Sequence, residues 1–308
     1  MPERPARRLN AEFGRLAAAR KLTATRASTG SLAADRANAE RWISRFGGAA
    51  EQDDGASIEV GAHSVLVRPA REAAAAPHVL YVHGGGMVYY STATFRPFLR
   101  TLANSLHAPV EAFDYLKAPE HSVGDSVERL GRQLAARCEA LGERDLVIAG
   151  DSVGGLLALY LSVRVLPAVF SRVVLIYPVL DLRTERESYR TFGEGYFLDR
   201  DAMRLFKSVL SPFFAERAFD PFALPESELA QLPPCSVVTA GCDVLRDEGI
   251  AWVEHLAGRS ITARHRHFPD LPHDFCLYTG KLDSARNAVA EIAGTAFRLG
   301  SPAEATGR

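Results

Sequence analysis

Cysteine is scarce in this chain: four residues, Cys138, Cys235, Cys242 and Cys276, occur among 308, with no Cys-x-x-Cys pair and no His/Cys metal spacing. A disulfide framework and a zinc site are therefore not indicated, no metal is expected, and reduced thiols in a cytoplasmic setting are the expectation. Cys242 and Cys276 lie close in sequence to residues singled out below; small buried apolar residues are their ordinary role, and oxidant sensitivity the alternative. Charge of one sign is also lacking, because 36 Lys and Arg nearly balance 37 Asp and Glu. Nothing thus favours a nucleic-acid partner by long-range attraction. No apolar run is long enough to span a bilayer, and the N-terminus has no apolar signal core, so neither stable membrane insertion nor export is expected. The basic stretch 7–21 places Leu9, Phe13 and Leu16 at helical spacing, but Glu3, Glu12 and the short stripe argue for a helix packed on the protein and against a transit peptide or membrane-surface helix. A Gly-x-x-x-x-Gly-Lys-Ser/Thr motif is absent too, which weakens a nucleotide-binding reading.

What is present is 47% hydrophobic residue, enough for one large α/β domain with a decorated edge, or for two small ones. Residues 1–48 read as helical, with Trp42 and Phe46 on one face. Residues 57–60 and 64–68 read as a strand hairpin turning at Gly61. From Val79 strands and helices alternate, which implies parallel pairing and a mostly parallel sheet flanked by helices. The expected strands are 79–82, 110–113, 146–149, 173–177, 236–240 and 263–268. The expected helices are 95–106, 126–141, 155–165, 248–257 and 284–299. Residues 185–219 interrupt the rhythm with an amphipathic helix at 201–210, and read as an insertion above the sheet.

The strand ending at Ala149 runs into Gly150-Asp151-Ser152-Val153-Gly154-Gly155. Gly-x-Ser-x-Gly between strand and helix is the pattern of a nucleophile elbow, which holds one serine above a sheet and aims a helix N-terminus at the space over it. Alone the motif is short and also suits a simple chain reversal. A serine nucleophile needs a base, best a histidine held in one tautomer by a carboxylate, and in an open α/β sheet both sit past the carboxyl ends of later strands. Asp243 follows the strand 236–240, with Asp247, Asp270 and Asp274 as competing acids. His273 is the histidine in a late loop beyond a strand end; His255, His265 and His267 fall within a helix or strand. A second glycine run, His83-Gly84-Gly85-Gly86, follows strand 79–82 directly, where its backbone N–H groups and that of Val153 suit an oxyanion.

The motifs His83-Gly84-Gly85-Gly86, Asp114-Tyr115-Leu116-Lys117-Ala118-Pro119-Glu120, Gly150-Asp151-Ser152-Val153-Gly154-Gly155, Asp243-Val244-Leu245-Arg246-Asp247-Glu248-Gly249 and His273-Asp274-Phe275 together resemble, in order, those of the hormone-sensitive-lipase family of esterases. The resemblance runs from about His83 to Phe275. It implies an α/β-hydrolase fold, ester hydrolysis without a cofactor, and a helical cap formed by 1–48 with an insertion at about 185–219 on a catalytic domain of 49–308. By position Ser152 matches the family's nucleophile, Asp243 its acid, His273 its base, and Gly84, Gly85 and Val153 its oxyanion donors. Two departures stand out: Leu116-Lys117 replaces Arg-Leu, removing an arginine from a local salt bridge, and Asp274 replaces the usual glycine after the histidine.

Expected pocket residues are Met87, Tyr89, Tyr196, Phe197, Met203 and Phe206, with Tyr90, Phe213 and Phe214 as further candidates and fewer than half expected to touch ligand. Such aromatic walls favour esters of short to medium acyl chains, or of aryl or terpenoid type. Amide cleavage, for example deacetylation of a biosynthetic intermediate, is the rival reaction. A non-catalytic binding module is the rival class, though such modules commonly lose the base and His273 is present. Small-molecule esters are the expected partners, with homodimer formation left open.

Overall fold

The computed structural model describes residues 8–23, 30–48, 54–261 and 263–297. The helical reading of 1–7 and 24–29, and the end of the closing helix at 298–299, lie outside the described residues. Among the described residues, one sheet contains β1 (Ser57–Val60), β2 (Ser64–Arg68), β3 (His78–Val82), β4 (Val110–Phe113), β5 (Leu146–Asp151), β6 (Arg172–Ile176), β7 (Cys235–Cys242) and β8 (Ala263–Pro272), in the order β1-β2-β4-β3-β5-β6-β7-β8. β1 and β2 form the hairpin, closed by the Gly61 N–H on the Ser64 carbonyl at 2.9 Å. β2 is antiparallel to both neighbours, and every pairing from β4 to β8 is parallel.

The central strands are apolar without interruption because both faces are covered. Successive side chains point to opposite faces, so Leu80, Val82, Ile148, Val173 and Leu175 join one core while Val79, Tyr81, Val147, Val174 and Ile176 join the other. The helices in chain order are α1 (Ala11–Thr23), α2 (Leu32–Phe46), α3 (Arg96–Leu106), α4 (Val123–Leu141), α5 (Val153–Tyr160), α6 (Glu187–Phe192), α7 (Arg200–Glu216), α8 (Glu226–Leu229), α9 (Arg246–Ala257) and α10 (Asp283–Thr295). Buried residues of α4, α5, α7 and α9 fill the first core, and those of α1, α3 and α10 the second.

Several elements outrun their sequence reading for local reasons. α4 begins at Val123 because the Ser122 hydroxyl caps it, accepting the Asp125 N–H at 3.0 Å. β5 extends to Asp151, so the last strand residue abuts the elbow serine. α7 continues through Pro212 to Glu216, carried by Phe213 and Phe214, whose rings pack edge-on against Tyr160 at 5.7 and 5.6 Å. α6 and α8 are short, and their few residues give no clear helical period.

Trp252 in α9 is fully buried, stacked on His255 and edge-on to Phe222. Replacing it with alanine opens a cavity in the first core, and Trp252→Ala is expected to cost about 3–5 kcal/mol. Urea unfolding followed by far-UV circular dichroism measures this against the parent.

Candidate active site

Ser152 follows β5 with φ 54° and ψ −122°, a backbone conformation that side-chain-bearing residues rarely adopt. Its N–H donates to Ile176 O at 2.9 Å, and its carbonyl accepts from Val179 N at 3.0 Å, tying the elbow to the end of β6. α5 begins at once with Val153, so the serine sits at a helix N-terminus, where the dipole favours negative charge. Close approach makes this possible: a Cβ on Gly154 would lie 2.1 Å from Val82 O and 2.7 Å from His83 O.

His273 lies in the loop after β8, and its Nε2 is 3.1 Å from Ser152 Oγ. Its Nδ1 is 2.8 Å from Asp243 Oδ2, and Asp243 Oδ1 accepts the Leu245 N–H at 2.9 Å. Nδ1 faces a carboxylate and therefore carries a proton, which leaves Nε2 of the neutral ring with its lone pair toward the serine. The residues picked from strand-end position are thus brought together. Of the competing acids, Asp247 accepts the Ser188 N–H at 2.8 Å, whereas Asp274 also approaches His273, its Oδ1 3.5 Å from Nε2. Tyr177 supports the imidazole from the end of β6, with ring centroids 4.7 Å apart.

Burial alone would push His273 toward the neutral form; the charges of Asp243 and then Asp274 outweigh it and raise its pKa to about 9. Asp151 at the end of β5 is fully buried, and burial raises its carboxyl to about 7 against opposing hydrogen bonds from Tyr81 and Gly84. Those bonds are 2.7 Å from Tyr81 Oη and 2.8 Å from the Gly84 N–H.

That second bond corrects one expectation. The Gly84 N–H, read as an oxyanion donor, is directed at Asp151, while Gly85 and Gly86 line the cavity beside Ser152. Gly86 has φ 64°, and a Cβ there would strike the Phe206 ring, which lies against it. The loop is braced from behind: the carbonyl of Gly84 accepts both Tyr115 Oη–H and His83 Nδ1–H at 2.7 Å. His83 is thus a scaffold residue, stacked on Tyr115 with ring centroids 4.2 Å apart.

The cavity over Ser152 measures about 790 Å³ and includes Tyr89, Phe197 and Phe206 among its walls. Met87, Tyr196 and Met203 do not line it. Met87 and Met203 are fully buried in the first core, and Tyr196 packs against that core edge-on to Phe192 at 5.0 Å. Apolar composition marked all six, but composition does not say which way a side chain turns. The outer wall comes instead from the N-terminal helices, with Arg20 from α1 and Trp42 and Phe46 from α2, joined by Tyr90 and Tyr278. Polar ties hold these helices in place. Arg36 of α2 donates to Val88 O and Ala118 O at 2.7 Å and forks onto Glu120, which follows the Leu116-Lys117 segment in the chain. Glu12 of α1 accepts the Ser284 N–H of α10 at 2.8 Å. None of the four cysteines is in a disulfide, and Cys242 and Cys276 are fully buried.

A mostly parallel sheet with a serine elbow at its centre and a histidine–carboxylate pair beyond later strands defines an α/β hydrolase. A family model described as alpha/beta hydrolase fold matches residues 79–277. An ethyl acetate hydrolase of Pseudomonas putida is 32% identical over 222 residues, 68% of this chain and 70% of that protein. An esterase of Gibberella moniliformis is 31% identical over 236 residues, 72% and 74% of the two chains. Among solved structures, a thermostable esterase from Pseudomonas putida superposes with TM-score 0.81 at 25% identity, covering 95% of this chain and 97% of that one. An ester-hydrolase from the metagenome of Lake Arreo, complexed with a derivative of bipyridine phosphonate, gives 0.79 at 28% identity, covering 93% and 97%. The chain belongs to the alpha/beta hydrolase fold family. It is a carboxylesterase.

Because the atoms facing Gly154 are backbone, they cannot yield to a methyl group without moving the elbow. Gly154→Ala is expected to lower kcat by about 100-fold or more while the protein stays folded, since a small misplacement of a reacting group has that effect. Steady-state kinetics alongside a thermal melt measure both quantities.

Proposed function

We propose that Ser152 is the nucleophile of an acyl-enzyme mechanism, with His273 as general base and acid and Asp243 as the group that orients it. The observation that carries this reading is the unbroken chain from Asp243 through His273 to Ser152, at 2.8 and 3.1 Å. Neutral His273 takes the serine proton at Nε2 as Oγ attacks the ester carbonyl. The tetrahedral oxyanion is met by the N–H groups of Gly85, Gly86 and Val153, each such donor being worth roughly 3 kcal/mol of barrier. The imidazolium then protonates the departing alcohol, and water repeats the sequence on the acyl-enzyme. Asp151 acts at one remove, holding the glycine loop through the Gly84 N–H.

The order of the five motifs supports placing the enzyme in the hormone-sensitive-lipase family. α1, α2 and the segment 185–219 act as its cap, because they provide Arg20, Trp42, Phe46, Phe197 and Phe206 to the cavity wall. A cavity of this size, walled by rings, fits esters with short to medium acyl chains or small aryl or terpenoid groups better than long-chain lipids. Hydrolysis of an ester as small as the one in the name of its Pseudomonas relative lies within that range.

Ser152→Ala is expected to reduce turnover of p-nitrophenyl acetate and butyrate at least roughly 10⁴-fold, with Asp243→Asn falling by about 10³–10⁴-fold. Initial rates across an acyl series from acetate to palmitate, with the matching acetanilide, measure the chemistry and the length limit together. Undiminished turnover in Ser152→Ala refutes the mechanism.

A further inference from the structure

His273 is bracketed by two carboxylates. Asp243 takes Nδ1 at 2.8 Å, as an orienting acid should. At the other nitrogen, Nε2, Ser152 Oγ at 3.1 Å shares the space with Asp274 Oδ1 at 3.5 Å. Asp274 is the next residue in the chain, lines the same cavity as Ser152 and His273, and has a side chain only 22% exposed. With the ring neutral, the Nε2 lone pair is turned to Ser152 and the neighbouring carboxylate gains no attraction from the ring. With the ring protonated, its positive charge lies 3.5 Å from that carboxylate at Nε2, a contact that is attractive and little screened by solvent. Asp274 therefore discriminates between the two protonation states at the nitrogen that must exchange a proton with the substrate.

We propose that Asp274 is a positioning residue of the hydrolytic reaction, a second carboxylate that holds a proton on Nε2 of His273 between turnovers and so sets the pH at which the enzyme becomes active.

This rests on the assignment of Ser152 and His273 above. Other groups face the pair. Asp151 at the end of β5 adds a further acid; burial raises the Asp274 carboxyl above its ordinary range, while the charges of His273 and, more weakly, Arg20 of α1 favour its carboxylate. Tyr177, Tyr81, Tyr90 and Tyr278, with the Cys276 thiol, surround them, all held neutral chiefly by burial. Against that background the His273 pKa of about 9 lies above its ordinary 6.5. The imidazole is then largely protonated at pH 7, and the base form grows as pH rises through that value. Removing the Asp274 charge lowers the proton affinity of the ring, so the acid limb of the rate profile moves to lower pH.

Asp274 has φ 59° and ψ 15°, a left-handed conformation that asparagine and glycine both adopt readily, so Asp274→Asn and Asp274→Gly remove the charge without backbone conflict. The test is the pH dependence of kcat/KM on p-nitrophenyl acetate for the parent and both variants, with Ser152→Ala in parallel. The expected result is an acid-limb midpoint about one unit lower in both variants, a several-fold higher rate at pH 7, and an unchanged alkaline plateau. An unmoved midpoint, including a uniform loss of rate at every pH, overturns the role of Asp274 while an inert Ser152→Ala leaves the mechanism standing. Turnover surviving in Ser152→Ala overturns both.

Discussion

The backbone of Ser152 is the constraint on which the site depends. A residue with a side chain held at φ 54° and ψ −122° is strained by about 1–3 kcal/mol, and such strain persists only where the surroundings over-determine the conformation. Three parallel strands do so. β6 takes the serine N–H through Ile176 O, β5 delivers the residue, and the end of β3 lies so close to α5 that only a bare Cα fits at Gly154. Ser152 is thus fixed by backbone packing in the middle of the sheet, and His273 and Asp243 need only be carried by loops that come back to it.

Asp151 links that elbow to the glycine loop. Its carboxylate is buried, bonded by Tyr81 and by the Gly84 amide, and its proton affinity is raised mainly because the charge has no water around it. Glu248 is its counterpart on the far side: fully buried, with burial raising its carboxyl to about 8, it accepts the Leu180 N–H at 2.7 Å and has Lys207 of α7 as a favourable charge nearby. It joins the loop after β6 to the first turn of α9. Both carboxyls hold loops through backbone N–H groups.

Much of this was legible in the sequence, for physical reasons that differ from feature to feature. Strands such as 146–149 are continuous apolar runs because they are covered twice, and glycine marks the elbow because a side chain at Gly154 would strike the backbone of Val82. Asp243 and His273 were readable because each follows a strand end, where this architecture gathers its chemistry. The direction of single groups was not readable. The Gly84 N–H turns to Asp151 because a buried carboxylate is a strong acceptor, and Met87 and Met203 turn inward because apolar surface is better hidden than exposed. The contacts that seat α1 and α2 were equally hidden, since they include Arg36 meeting Glu120, 84 residues away, and Glu12 reaching α10. Pairings over such separations leave no periodic trace.

The chain has two tryptophans, and their surroundings differ sharply. Trp252 is sealed in the core, whereas Trp42 lies on the cavity wall with its indole N–H on Tyr278 Oη at 3.0 Å and its ring 4.2 Å from Phe46. Indole emission depends on local polarity and on nearby quenchers, so the enzyme carries its own optical reporter of occupancy. With the core fluorophore replaced by phenylalanine, arrival and departure of unlabelled compounds become visible in real time, and association can be timed separately from bond cleavage.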